Sequence, residues 1–233
     1  MLQVRSLRAS PGGVPVLHDV DLDVREGEIV ALLGRNGAGR STMLKAVMGL
    51  VPGQGDVRWR GQPLLGRPAH EIARLGLGYV PEGREVFPTL SVRHNLELGL
   101  KRSRGLGPAR WSLDELLAMF PALKARLEVR AGVLSGGEQQ MLALCRTLMG
   151  DPDLVLVDEP TEGLAPQVVE RVASFMVELR RRGVGVLLVE QKLAIALEVA
   201  DRCALMGRGR IVFEGRPAEL WRADEVRREW LQV

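Results

Sequence analysis

Residues 34–41 read GRNGAGRS, and they follow a stretch at 28–33 read as a buried strand and precede Met43, Leu44, Val47 and Met48 at helical spacing. Buried strand, glycine-rich turn and helix in that order indicate a parallel α/β core. The pattern G-x-x-x-x-G-K-[ST] is met at every position except one, where Arg40 stands in place of lysine. Glycines at these positions turn successive backbone N–H groups inward, and the helix that follows presents its positive end to the same point. Such a loop cradles phosphate, and the Ser41 hydroxyl is placed to reach a magnesium ion. Arg40 keeps the positive charge but replaces a compact ammonium with a planar fork, which is not a conservative exchange at a tight site.

The rest of the chain is consistent with that core. Residues 2–24 alternate apolar and polar around the Pro11–Gly13 break and predict two antiparallel strands. A short polar hairpin is expected at 56–65, a helix at 70–75 and a strand at 78–80. From 91 to 130 the pattern turns helical, with Ser112 and Glu115 forming a capping box and Pro121 dividing two short helices. A helix is expected at 138–149, with Met141, Leu144, Cys145 and Leu148 on one face. The aliphatic runs at 154–157 and 184–189 have the character of central parallel strands. Val168, Val172, Phe175, Met176 and Leu179 mark the helix between them. Residues 210–233 predict a strand and two short helices, and 192–209 carry no assignment. The expected fold is thus a P-loop NTPase core with a parallel central sheet and an N-terminal antiparallel β subdomain. It forms one domain over 1–233 with an inserted helical subdomain at 82–133.

Three further segments carry chemistry. Leu134-Ser135-Gly136-Gly137-Glu138-Gln139-Gln140 opens a helix, where the Ser135 hydroxyl and the backbone N–H groups of Gly136 and Gly137 make a second anion site. Four aliphatics, 154–157, run into Asp158 and Glu159, two carboxylates at a strand end. Val189-Glu190-Gln191 ends the next strand, and Gln191 can donate a hydrogen bond but cannot carry a proton. LSGGEQQ downstream of the glycine loop resembles the signature motif of ABC ATPases. The segments YVPEGR around Glu82, GLAP at 163–166 and Gln191 look like the LivF-type subunits of branched-chain amino-acid importers.

That resemblance spans the whole chain and implies specific roles. Gly34, Arg35, Asn36, Gly37, Ala38, Gly39, Arg40, Ser41 and Thr42 would bind ATP, joined by Glu82. Ser135, Gly136 and Gly137 would close on ATP held by an opposing subunit. Ser41, Asp158 and Glu82 would hold Mg2+. Glu159 would polarise the attacking water, with Gln191 as its catalytic partner. Pro11 falls where the family places an aromatic residue to stack on adenine, and Tyr79 is read as core. The implied protein is a transport-coupled ATPase subunit, paired with a second ATPase subunit in a homo- or heterodimer and with permease subunits. An extracytoplasmic binding protein would complete the importer. The alternative is a weak or silent ATPase that mainly completes its partner's site through LSGGEQQ.

Composition narrows the remaining classes. Net charge is +3 and the basic residues are scattered, unlike the clustered charge of nucleic-acid-binding domains. No apolar run reaches the length of a membrane span, so direct membrane insertion is not expected. Cys145 and Cys203, without CxxC spacing, are read as reduced buried thiols. The expected location is cytoplasmic, peripheral on the inner face of the membrane.

Overall fold

A computed structural model describes residues 1–100 and 110–231. Residues 101–109 of the expected 82–133 insertion, and 232–233 of the expected C-terminal segment, lie outside the described residues.

The N-terminal strands β1 (Leu2–Ala9) and β2 (Leu17–Val24) pair antiparallel, as their alternation predicts. After them come β3 (Ile29–Leu33), α1 (Arg40–Val47), β4 (Gly53–Trp59) and the two-residue β5 (Gln62–Pro63). Strands β4 and β5 form the expected hairpin, and β4 also pairs with β1, completing a sheet of order β2-β1-β4-β5. Next are α2 (Ala69–Arg74), β6 (Leu77–Val80), α3 (Val92–Glu97), α4 (Leu113–Met119) and α5 (Pro121–Lys124). The second half runs α6 (Gly136–Leu148), β7 (Leu154–Asp158), α7 (Pro166–Arg181), β8 (Gly185–Val189) and α8 (Leu193–Val199). It ends with β9 (Arg202–Gly207), β10 (Arg210–Gly215), α9 (Pro217–Arg222) and α10 (Asp224–Trp230). The second sheet has the order β10-β9-β3-β8-β7-β6. It is parallel except for the β9–β10 pair.

Alternation along the central strands divides the core. Val30, Leu32, Leu156, Leu187 and Val189 face α1 and the apolar side of the first sheet. Ile29, Val155, Val157, Val186 and Leu188 face the helical layer of α6 and α7. The Phe175 ring of α7 meets Phe120 edge-on at 5.1 Å and Trp111 at 6.1 Å, which seats α4 and α5 on that layer. Cys145 and Cys203 are free and buried, as read.

Some features depart from expectation. Residues 192–209 contain α8, which has no side-chain cap, and β9, which runs into the Gly207–Gly209 turn that the reading left unassigned. Helix α6 begins at Gly136 instead of 138, because Ser135 caps it through a reciprocal pair of bonds with Glu138.

Register fixes where the site lies. Val80 stands opposite Val157, Asp158 opposite Val189, and Leu32 opposite Val189. The carboxyl ends of β3, β6, β7 and β8 therefore finish at one level, and the residues just beyond them share one edge of the sheet. Open α/β sheets bind ligands at that edge.

Candidate functional site

Strand β3 delivers the chain to the glycine loop at this edge. Gly39, the residue before α1, has φ 107°, and a Cβ there would lie 2.9 Å from Leu17 Cδ2. Only glycine satisfies both constraints. Gly37 has φ 80°, and a Cβ on it would meet nothing within 4 Å, so its open side faces empty space. Behind the loop, the Ala38 carbonyl accepts from Gly209 N at 2.9 Å, tying the loop to the β9–β10 turn. The first N–H groups of α1 have no intrahelical partner and are left for a ligand.

Residues from five segments meet in front of this loop. A cavity of about 390 Å3 is lined by residues 36–42, Glu82, Glu159 and Gln191, together with Val16 and Glu162. These include most of the residues the sequence nominated. Ser41 Oγ donates to Asp158 Oδ1 at 3.0 Å, which joins the loop helix to the end of β7. Arg35 instead shares with Asn36 a neighbouring cavity whose far wall includes Met206, Arg208 and Trp230. Pro11 is half-buried in a turn at Pro11–Gly13. Ser135, Gly136 and Gly137 are not in the lining of the loop cavity.

Arg40 is the centre of the arrangement. Its guanidinium donates from Nη1 to the Glu190 carbonyl at 3.0 Å, and from Nη2 to Asn36 Oδ1 at 3.3 Å and Glu159 Oε1 at 2.8 Å. Gln191 Nε2 donates to the other oxygen of Glu159 at 2.5 Å. The carboxylate of Glu159 is thus held on both sides, by a cation and by an amide. Its backbone has φ 46°, a left-handed conformation unfavourable for glutamate and typical of functional turns.

Burial pushes the carboxyls of Asp158 and Glu159 above the usual range. The Ser41 hydrogen bond opposes this at Asp158, and the Arg40 charge opposes it at Glu159. Glu82 adds like-charge repulsion at both. A carboxyl raised in this way is a better proton acceptor. Carboxylate oxygens of Glu82, Glu159 and Glu162 come within 4.8 Å of one another. Ser41, Asp158 and Glu82 offer the hard oxygen ligands that Mg2+ prefers, so the residues present fit that ion.

Two functional contacts escaped the sequence reading. Tyr79, read as core, is only half-buried, and its hydroxyl donates to Asp158 Oδ2 at 3.4 Å. The phenol sits one strand away from the carboxylate, on β6, so no local motif announces the pair. Ser135 was assigned an anion-binding hydroxyl, but here that hydroxyl is engaged in the cap, accepting from Glu138 N and donating to Glu138 Oε2 at 2.8 Å. The S-x-x-E spacing at 135–138 was the available signal. Nearby, Arg84 lies against Gly136 and reaches the Glu162 carbonyl at 3.5 Å.

Comparison with known proteins follows the same lines. A family profile described as ABC transporter matches residues 17–162. The chain is 43% identical to the high-affinity branched-chain amino acid transport ATP-binding protein BraG of Pseudomonas aeruginosa, over 99% of both chains. It is 36% identical to a probable branched-chain amino acid transport ATP-binding protein, LivF, of Archaeoglobus fulgidus, over 94% of each. Among solved structures, one described as the ATP binding subunit of an ABC transporter superposes with TM-score 0.81 at 30% identity. That match covers 98% of this chain and 92% of the other.

Proposed function

The chain belongs to the ATP-binding subunits of ABC transporters, and on that premise we propose that it hydrolyses ATP to drive import of branched-chain amino acids. The observation that carries the reading is the convergence of Ser41, Glu159 and Gln191 on the glycine-loop cavity, with Asp158 joined to it through the Ser41 hydroxyl. The cargo rests on the names of the relatives at 43% and 36% identity.

In this reading the N–H groups of residues 37–42 hold the ATP phosphates and Arg40 pairs with them. Ser41, Asp158 and Glu82 would hold Mg2+, which neutralises phosphate charge. Glu159 takes the proton of the attacking water, aided by the burial that raises its carboxyl. Gln191 fixes the orientation of Glu159 through the 2.5 Å bond. Before hydrolysis Arg40 must leave Glu159 for phosphate, so the substrate itself releases the base.

A groove supports a partner. A cavity of about 820 Å3 runs from Asp158 and Glu82 to the surface, where Leu50, Phe87 and Leu98 are 52%, 49% and 57% exposed. Glu82 lines both this groove and the loop cavity. A permease segment seated there would sense the nucleotide through Glu82. Among the described residues no helix is long and apolar enough to cross a membrane. The protein would sit at the inner membrane face on its permeases and dimerise with a second ATPase subunit.

A second reading is favoured by one observation, the buried Arg40–Glu159 ion pair. If phosphate does not displace that pair, this subunit's own site is slow or silent, and it serves chiefly by lending Ser135, Gly136 and Gly137 to a partner's ATP. Phosphate release from Mg-ATP by the purified chain, compared with Glu159→Gln, separates the two. Turnover abolished by the substitution supports the motor reading; absent turnover, with weak nucleotide binding or none, supports the second; turnover that survives the substitution overturns both.

A further inference from the structure

The Glu190 side chain, just beyond the end of β8, is 2% exposed and has no role in the reading above. Its carboxylate accepts four hydrogen bonds. Oε1 takes the Thr161 hydroxyl at 2.5 Å and the Thr161 N–H at 3.3 Å. Oε2 takes the backbone N–H groups of Gln191 at 2.9 Å and Lys192 at 3.1 Å. Lys192 Nζ returns to the Thr161 carbonyl at 3.2 Å, so both backbone groups of Thr161 are tied to the segment after β8. The backbone carbonyl of Glu190 holds Arg40. One buried side chain thus joins the loop after Glu159 to the backbone of Gln191, and the same residue's carbonyl holds the phosphate-loop arginine.

We propose that Glu190 is a positioning residue of the hydrolytic site, setting Gln191 and the 159–162 segment in one arrangement. Both ends of the clamp flank Glu159: Thr161 lies two residues beyond it, and Gln191 donates to its carboxylate. A displacement of the 161–165 loop is therefore carried by Glu190 to Gln191, and by Gln191 to the base. A carboxylate suits this place because all its partners are donors. The amide of Glu190→Gln would turn an NH2 group toward an N–H or hydroxyl donor and lose part of the set, with little change in volume. The proposal rests on the ATPase reading for its kinetic consequence but not for the clamp itself.

The test uses Glu190→Gln, Thr161→Val and their combination in the full chain. Steady-state kinetics with Mg-ATP are expected to show kcat down about tenfold or more with KM within about twofold in each. The double variant should be no worse than the poorer single, because both remove one device. Unchanged kcat in Glu190→Gln, a rise in KM alone, or multiplying effects overturns the proposal. In nucleotide-free protein, Thr161→Val should shift the Gln191 and Lys192 amide resonances, although neither residue is substituted. Silence of those resonances overturns the clamp. The same spectra decide the clamp if the unsubstituted chain does not turn over ATP, a result that would sink the hydrolysis reading alone. Thr161→Val, nearly isosteric, serves if Glu190→Gln fails to fold.

Discussion

Arg40 Nη2 lies 2.8 Å from Glu159 Oε1, and the two side chains are only 4% and 8% exposed. The phosphate-loop cation and the candidate catalytic base are therefore each other's counter-ion. A guanidinium makes this possible because its fork reaches Glu159, Asn36 and the Glu190 carbonyl together. An ammonium offers its three N–H donors from one nitrogen, without the two separated nitrogens that Arg40 uses for these contacts.

Arg40→Lys should accordingly loosen the hold on Glu159. Mg-ATP affinity and phosphate release are both expected to rise, release by about tenfold, below the roughly hundred- to thousandfold that one well-placed donor contributes at such a site. Calorimetry and a phosphate-release assay check this; lower values of both would show that the fork is needed for nucleotide.

Arg40→Ala leaves Glu159 in place without its cation. Breaking a buried pair from one side should destabilise the fold by about 3 kcal/mol. The midpoint of denaturant unfolding reports it, and Arg40→Ala combined with Glu159→Gln should recover much of the loss. Additive losses would mean the two side chains are not coupled.

Asp158 carries a pH signature. Its carboxyl is raised in the folded chain, chiefly by burial. Folding then favours the protonated form, so the ionised carboxylate costs stability above its folded pKa, and that cost vanishes below the ordinary carboxylate range. Asp158→Asn should raise Tm at pH 7, by about 2–4 °C for each 1 kcal/mol relieved. The advantage should shrink as pH falls toward 4. A Tm gain that persists unchanged at low pH would contradict the sign.

Ser135→Ala removes the Ser135–Glu138 capping box at the start of α6. Thermal unfolding should show a loss of about 1 kcal/mol. An unchanged Tm would mean the serine hydroxyl is not structural in the isolated chain.

Much of this site was legible from spacing alone, for a physical reason. Backbone-built features need particular residues at particular steps, so residues 34–41, the aliphatic run before Asp158 and the 112–115 cap could be read in one dimension. The central strands were equally plain, since burial on both faces leaves uninterrupted aliphatics. Contacts between side chains on different strands leave no such trace. Tyr79 meets Asp158 only because β6 pairs with β7, and Glu190 gathers Thr161 only because β7 and β8 end at one level. A buried glutamate at a strand end is indistinguishable in sequence from a solvated one. Helix α8 was missed because seven residues show too little of a helical period, whereas β9, six residues with the buried character of β7 and β8, was left unassigned.

The account turns on whether ATP competes with Glu159 for Arg40, and calorimetric titration of Mg-ATP into the unsubstituted chain and Glu159→Gln asks this directly. Neutralising the competing carboxylate should tighten binding about tenfold, the equivalent of one charge-assisted hydrogen bond returned to the nucleotide. Equal or weaker binding by Glu159→Gln would contradict the exchange and leave the Arg40–Glu159 pair a structural contact only.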